Sequence, residues 1–380
     1  MIYLDNAATT KLKEKALEKM MPYFTEEYGN PSALYLHGGH ARHAVEDARD
    51  VISGLIGAER DEIVFTSGGS ESDSLAIMGF ARANRQKGRH IVTSSIEHHA
   101  VLNACKALEK EGFEVTYVDP STDGIVSAES IEKALRSDTI LVSLMTANNE
   151  VGTLQPVGET GALCRARGIA FHTDAVQAFG HIPTDVRETF ADLMSVSAHK
   201  FGGPKGTGFL YVRRGTVLQP IVYGGGQELG LRNGTENVAG IVAMAAAAKD
   251  CFKNLTETTG KVLALRERLI DRVTNEIEDV RLNGDRKCRL PGNADFMIRS
   301  VRAESLVIRL AARGICVSAS SACASRDNRP SHVLSAMGLS DEEAVSSLRI
   351  TIGEENTAEE IDTTVEELKT AVEDLRSLRR

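Results

Sequence analysis

The chain has 380 residues, 42% apolar and 26% charged, with 44 Lys and Arg against 53 Asp and Glu. A net charge of −9 without a long basic run excludes the electrostatic footprint of a general nucleic-acid binder, and the length suggests about two domains of ~100–200 residues. The longest apolar run, 238–248, is mostly alanine and short of the ~18 residues that span a bilayer. No charged-then-apolar leader opens the chain, and the six cysteines form no Cys-x-x-Cys pair, so a cytoplasmic protein with reduced thiols is expected.

From residue 60 to 215, short β-rich runs alternate with helical stretches, the form of a parallel α/β sheet. Strands are predicted at 62–66, 90–94, 114–118, 140–145, 169–173, 193–197 and 208–212. Helices are predicted at 71–86, 100–111, 130–135 and 159–167, the last closed by Gly168. Beyond about residue 255 come a long charged helix, a few strands, and a final helix opened by the capping box Thr357-x-x-Glu360. Its apolar positions Ile361, Val365, Leu368, Val372, Leu375 and Leu378 share one face. A smaller α+β domain therefore follows the sheet domain, and an active site belongs at the carboxyl ends of the parallel strands.

Four places carry chemistry. At Phe65-Thr-Ser-Gly-Gly-Ser-Glu-Ser72 a strand enters a helix through small residues, which suits a phosphate but fits a plain βα turn equally. Neither dinucleotide nor P-loop glycine spacing is present, which disfavours NAD and ATP. Asp174, at the end of a predicted strand with Gln177 three residues on, could pair with a protonated cofactor ring nitrogen or cap a helix. Lys200 follows an apolar strand and precedes a glycine-rich stretch. A lone lysine there is ordinarily a surface residue, but beside Asp174 and the Gly-Gly-Ser turn it is a Schiff-base candidate. Cys323 lies in a small, polar segment without helix or strand period, which suits an accessible nucleophile. Cys105, Cys164, Cys251 and Cys316, in apolar-periodic segments, read as inert core residues, and Cys288 as an exposed one.

Together these residues resemble pyridoxal-phosphate (PLP) enzymes of the class V aminotransferase family, of the NifS/IscS cysteine desulfurase type. The match runs in order through Tyr3–Thr10, Gly29–Ser32, Glu97-His98, Asn148–Gly152, His172–Gln177, Ser197–Lys200, Gly224–Glu228, Arg232–Thr235, Ser318–Cys323 and Ser347–Arg349. The resemblance implies a fold-type I α/β homodimer. Its large PLP-binding domain, with a mostly parallel sheet, would be 15–255, and its small α+β domain, 1–14 with 256–380, would carry the catalytic cysteine loop. It implies that Lys200 holds PLP as a Schiff base and Asp174 pairs with the ring nitrogen. Gln177 and Asn149 would bond the phenolic oxygen, and Gly69, Ser70, Ser197 and His199 the phosphate, with Thr235 reaching in from the neighbouring subunit. His98 would stack on the ring and serve in proton transfer, including as acceptor from the Cys323 thiol. Arg349 would clamp the substrate carboxylate beside Asn149, a task for a planar fork.

The implied reaction takes sulfur from L-cysteine, leaving L-alanine and a persulfide on Cys323 for a sulfur-acceptor protein such as an iron–sulfur scaffold or a tRNA-thiolation enzyme. An aminotransferase, a selenocysteine lyase and a non-catalytic scaffold of the same fold are the competing readings. Three departures from the family pattern stand out: Gly69-Ser70 in place of Ala-Thr, Ala319-Ser320 in place of Ser-Gly before the cysteine, and a more charged Arg326–Arg329. The spacing from Cys323 to Pro330 nevertheless resembles the long-loop subgroup.

Overall fold

The structure is a computed structural model that describes residues 1–320 and 330–378. Seven strands, β1 (Ile63–Thr66), β2 (His90–Ser94), β3 (Glu114–Val118), β4 (Thr139–Ser143), β5 (Ala170–Asp174), β6 (Leu193–Ser197) and β7 (Gly208–Val212), form one sheet in the order β1-β7-β6-β5-β4-β2-β3. Every residue of β1, β2, β4, β6 and β7 is buried, which is why these segments read as nearly continuous apolar runs. β3, at one edge, is partly exposed.

The strands from β2 to β6 pair in parallel, whereas β7 runs antiparallel to both β6 and β1. A parallel return needs a crossover of a dozen or more residues. Only residues 198–207 separate β6 from β7, and their only helical piece is the single turn Ala198–Lys200. The chain therefore folds straight back, and the sheet is mostly parallel with one antiparallel strand.

The helical stretch expected at 71–86 begins at Gly69 and is interrupted by a π turn, Leu75–Gly79. Gly168, at φ 68°, ends the helix Val157–Arg167 in the left-handed conformation its position called for.

A second sheet of four antiparallel strands, β8 (Val280–Leu282), β9 (Asn293–Ile298), β10 (Ser318–Ala319) and β11 (Ser347–Thr351), has the order β10-β11-β9-β8. Helices Leu255–Glu276, Ala303–Ala312 and Ala358–Ser377 share a core with it, which includes Leu4, Leu269, Phe296, Leu306, Leu348 and Val365. Thr357 and Glu360 form the reciprocal capping box. Ile361, Val365, Leu368 and Val372 are buried and Leu375 partly so, but Leu378 is exposed because the helix ends at Ser377.

Leu4 lies in this second core and Ile2 packs against it, while Ile2–Tyr3 pairs in parallel with Ile315–Cys316. The chain then crosses to the first sheet, where Thr10 N–H donates to His199 O at 2.8 Å. Helix His332–Ala336 packs on the first sheet, where Val333 and Leu334 share a core with Val92, Val142 and Phe171. No helix among the described residues is long and apolar enough to cross a membrane.

Candidate active site

The carboxyl ends of β5 and β6 lie beside the turn after β1. Gly68, at φ 142°, lies against Ser197, and a Cβ there would meet Ser197 Oγ at 3.4 Å. The helical stretch opening at Gly69 leaves its first amides without intrahelical partners, beside the buried Ser197. The departure at Gly69 has a local cause, since an added Cβ would sit 2.8 Å from Val176 Cγ2. Val176 fills the space an alanine methyl would take.

Asp174 ends β5, and its Oδ1 accepts from Val176 N–H at 2.9 Å. The next residues form a turn, closed by Ala178 and Phe179 N–H on Ala175 O, so the capping role competing for Asp174 extends to one turn only. Burial pushes the carboxyl up to about 6, against the pull of the Val176 amide and the Lys200 charge. Two residues earlier, buried His172 is held between Ser143 Oγ (2.8 Å) and Ser195 Oγ (3.0 Å), and burial lowers it to about 3. Asp73 completes this buried layer, its carboxyl raised well above the usual range by burial and by Asp174.

Lys200 ends the turn after β6. Its Nζ donates to Ala7 O at 2.6 Å and Ala8 O at 2.9 Å, and Gln177 Nε2 donates to the same Ala7 O at 3.0 Å. His199 Nδ1 meets Thr9 Oγ1 at 3.1 Å; burial and the Lys200 charge lower it to about 4.

His98 caps the helix His99–Lys110, its Nδ1 accepting from Ala100 N–H at 3.2 Å. Burial first, then Lys200, lower its pKa to about 4. With Nδ1 so engaged, the neutral ring carries its proton on Nε2. Ser70 and Thr235 are exposed, and Asn149 is half-buried.

Arg349, on β11, approaches from the second sheet. Its two terminal nitrogens donate to Asn149 O (2.9 Å) and Asp5 Oδ1 (3.0 Å), and Nε is buried without a partner among the described residues. A buried orphan donor on a guanidinium fits a carboxylate ligand. Opposite Arg349 in register is Asp295, fully buried, which accepts from Asn283 Nδ2 at 2.7 Å and from Ser320 Oγ. Ser331 donates to Glu150, whose carboxyl burial raises to about 7. Cys323 and Arg326–Arg329 lie outside the described residues, between these two anchored serines. Of the remaining thiols, Cys105 and Cys164 are buried and pushed up to about 12, whereas Cys251, also pushed up to about 12, and Cys316 are only half-buried rather than core residues, and Cys288 is exposed.

The donor and acceptor set fits PLP: a helix start with nearby hydroxyls for a phosphate, a buried carboxylate that gains from a cationic partner, and an amine beside both. The sequence reading assigned no role to Asp5, Ala7 and Ala8. Two of them act through backbone carbonyls, which leave no side-chain signal; only their place in the Tyr3–Thr10 motif marked them.

The family model for class V aminotransferases matches residues 2–364, and the chain belongs to that family, whose members are PLP-dependent enzymes of fold type I. Within it, the chain is 49% identical over 363 residues to "Cysteine desulfurase IscS" of Clostridium botulinum (strain Hall), covering 95% of this chain and 91% of that protein. It is 48% identical to the protein of the same name from Dictyoglomus turgidum, covering 96% and 92%. A solved "NIFS-LIKE PROTEIN" superposes with a TM-score of 0.92 at 36% identity, covering 98% of this chain and 99% of that one. "SspA in complex with cysteine" does so with a TM-score of 0.83 at 37% identity, covering 94% and 100%.

Proposed function

We propose that this protein is a PLP-dependent cysteine desulfurase, converting L-cysteine to L-alanine with a persulfide formed on Cys323. The observation that carries the reading is the convergence of Lys200, Asp174 and the buried, incompletely bonded Arg349 between two sheets. Bound PLP would supply the electron sink that labilises the substrate's Cα proton and Cβ–S bond.

Gly69, Ser70, Ser197 and His199 would hold the phosphate of PLP, Gln177 and Asn149 its phenolic oxygen, Asp174 its ring nitrogen and Lys200 its aldehyde; the Lys200 amine would be the base for the substrate's Cα proton. The Ala7 and Ala8 carbonyls, which accept from Lys200 Nζ, would orient that amine. Arg349 fixes the substrate carboxylate, with Asp5 and Asn149 fixing Arg349. His98, neutral and with its proton on Nε2, serves as a donor in the proton transfers. Cys323 thiolate attacks the substrate sulfur. A sulfur–sulfur bond forms, the Cβ–S bond breaks, and its electron pair stays on carbon, which is protonated to alanine. No outside oxidant or reductant is required.

The protein works as a homodimer. Supporting this are the exposed apolar side chains Leu34, Tyr35, Leu36, Tyr223 and Leu229 and a buried oxygen of Glu236 without a partner among the described residues. The persulfide passes to an acceptor protein, an iron–sulfur scaffold or a tRNA-thiolation enzyme. The separate cores of the two sheets support two domains, proposed as 15–255 and 1–14 with 256–380, with Leu12, Leu290 and the helix His332–Ala336 packing across that division. The test is product analysis. Reconstituted with PLP and given L-cysteine and a reductant, the protein should release alanine and sulfide one to one; a keto acid without sulfide would reject the reading in favour of an aminotransferase.

A further inference from the structure

The segment between β7 and the helix Val238–Lys253 carries two consecutive non-glycine residues in the left-handed region. Glu228 and Leu229 lie at φ 47° and 59°, a region disfavoured for residues with side chains, between Gly226 at 86° and Gly230 at 77°. Such strain persists only where surrounding bonds fix it.

Here they do. The Glu228 carboxylate, nearly fully buried, accepts from Arg49 Nη1 (2.9 Å), Arg49 Nη2 (2.7 Å) and Phe65 N–H (2.7 Å). Arg49 also donates to Ile63 O at 2.6 Å and lies 4.6 Å from the Phe65 ring centre. Four residues on, Arg232 Nε donates to Glu71 Oε1 at 2.9 Å, while Glu71 Oε2 accepts from Ser67 N–H at 2.7 Å.

Within the segment, Asn233 Oδ1 accepts from Gly226 N–H (2.6 Å), Asn233 Nδ2 donates to Val222 O (2.8 Å), and Gln227 Oε1 accepts from Gly234 N–H (2.9 Å). Asn237 then caps the next helix. Thr235 is thus exposed between a self-tied loop and a helix start, and both ion pairs fasten that loop to the strand and turn that form this chain's own phosphate site.

We propose that Arg49–Glu228 and Glu71–Arg232 are positioning pairs that set Thr235 for the phosphate of the partner subunit's cofactor, tying each subunit's own phosphate turn to the site it completes. The proposal rests on the homodimer reading above. It predicts that a lesion in the Glu228 anchor is felt in the other subunit's site.

The test is PLP titration of apoprotein with subunit mixing. Glu228→Gln should remain a dimer by light scattering and bind PLP about tenfold more weakly. Arg49→Lys, which loses the bidentate fork, should do the same and serves if the first variant does not fold. In a heterodimer of Glu228→Gln with Lys200→Ala, the one site that retains Lys200 receives its Thr235 from the subunit with an intact anchor. That site should recover wild-type PLP affinity and be trapped by borohydride at Lys200. Weak binding that persists there would mean the anchor acts within its own subunit, and unchanged affinity in both homodimeric variants would also overturn the proposal. A wild-type protein that is a PLP-binding monomer would instead overturn the dimer reading itself, and the proposal with it.

Discussion

At the ends of β5 and β6, Asp174 and Lys200 are placed by the backbone: each stands at or just past the end of a strand, and their partners include main-chain amides and carbonyls. Arg349, in the second sheet, is set by the Asn149 carbonyl together with side-chain charge. It depends on Asp5, and shares a buried layer with Asp295, Glu150, Asn283, Ser320 and Ser331. The cofactor side should therefore tolerate conservative changes in its surroundings while failing outright when a reacting group is removed. The substrate side should respond in a graded way even to isosteric changes, because buried charged networks lose more than one bond at a time.

The largest effect expected on the cofactor side is Lys200→Ala, which should lower turnover by ~10⁴-fold or more. Lys205→Ala, an exposed lysine five residues on, should stay near wild type. Mass analysis after borohydride reduction would locate the cofactor on one or the other. On the substrate side, Arg349→Lys should reduce kcat/KM by ~10²-fold, mostly through KM, since a point charge cannot hold Asp5, Asn149 and a carboxylate together. Cysteamine, which has no carboxylate, should show a much smaller loss in the same assay.

Asp174 gives a pH signature. Its carboxyl titrates at about 6 in the folded protein without cofactor, above the usual 3.8. Between these values the folded state keeps a proton that the unfolded chain releases, so this group's contribution favours folding at low pH and is lost as pH rises through about 6. Asp174→Asn should therefore raise the Tm of the cofactor-free protein at pH 8 by about a few degrees, with the gap closing below pH 4. Melting curves across pH check this. The smallest effect belongs to Thr357→Ala, remote from the site. Loss of the capping box should cost about 1 kcal/mol of stability with kinetics unchanged, as urea unfolding beside a turnover assay would show.

The same contrast governs what could be read before the structure. Most strands of the first sheet were legible because burial on both faces writes an apolar run, while the partly exposed edge strand β3 was legible from its β-rich composition; the short link between β6 and β7 contained the reason for its one antiparallel strand. Asp174, Lys200 and their neighbours stood at those strand ends. The second sheet was not legible in detail: β10 is two residues long, and its polar partners are brought together from positions as distant as 5, 149, 295 and 349. His98 shows the limit at the level of one residue. Its presence in the site could be read, but its tautomer depends on a bond to Ala100 N–H that only the folded helix start creates.

The central claim is that sulfur leaves the substrate by transfer to Cys323. The most direct measurement is a single turnover of the Cys323→Ser variant in D2O, following deuterium uptake at the substrate Cα and alanine formation together. Persulfide transfer predicts that L-cysteine still gains deuterium, because Lys200 and Asp174 are intact, while no alanine appears. Alanine produced from L-cysteine at near the wild-type rate would contradict the account and assign the chemistry to a lyase that needs no enzyme thiol.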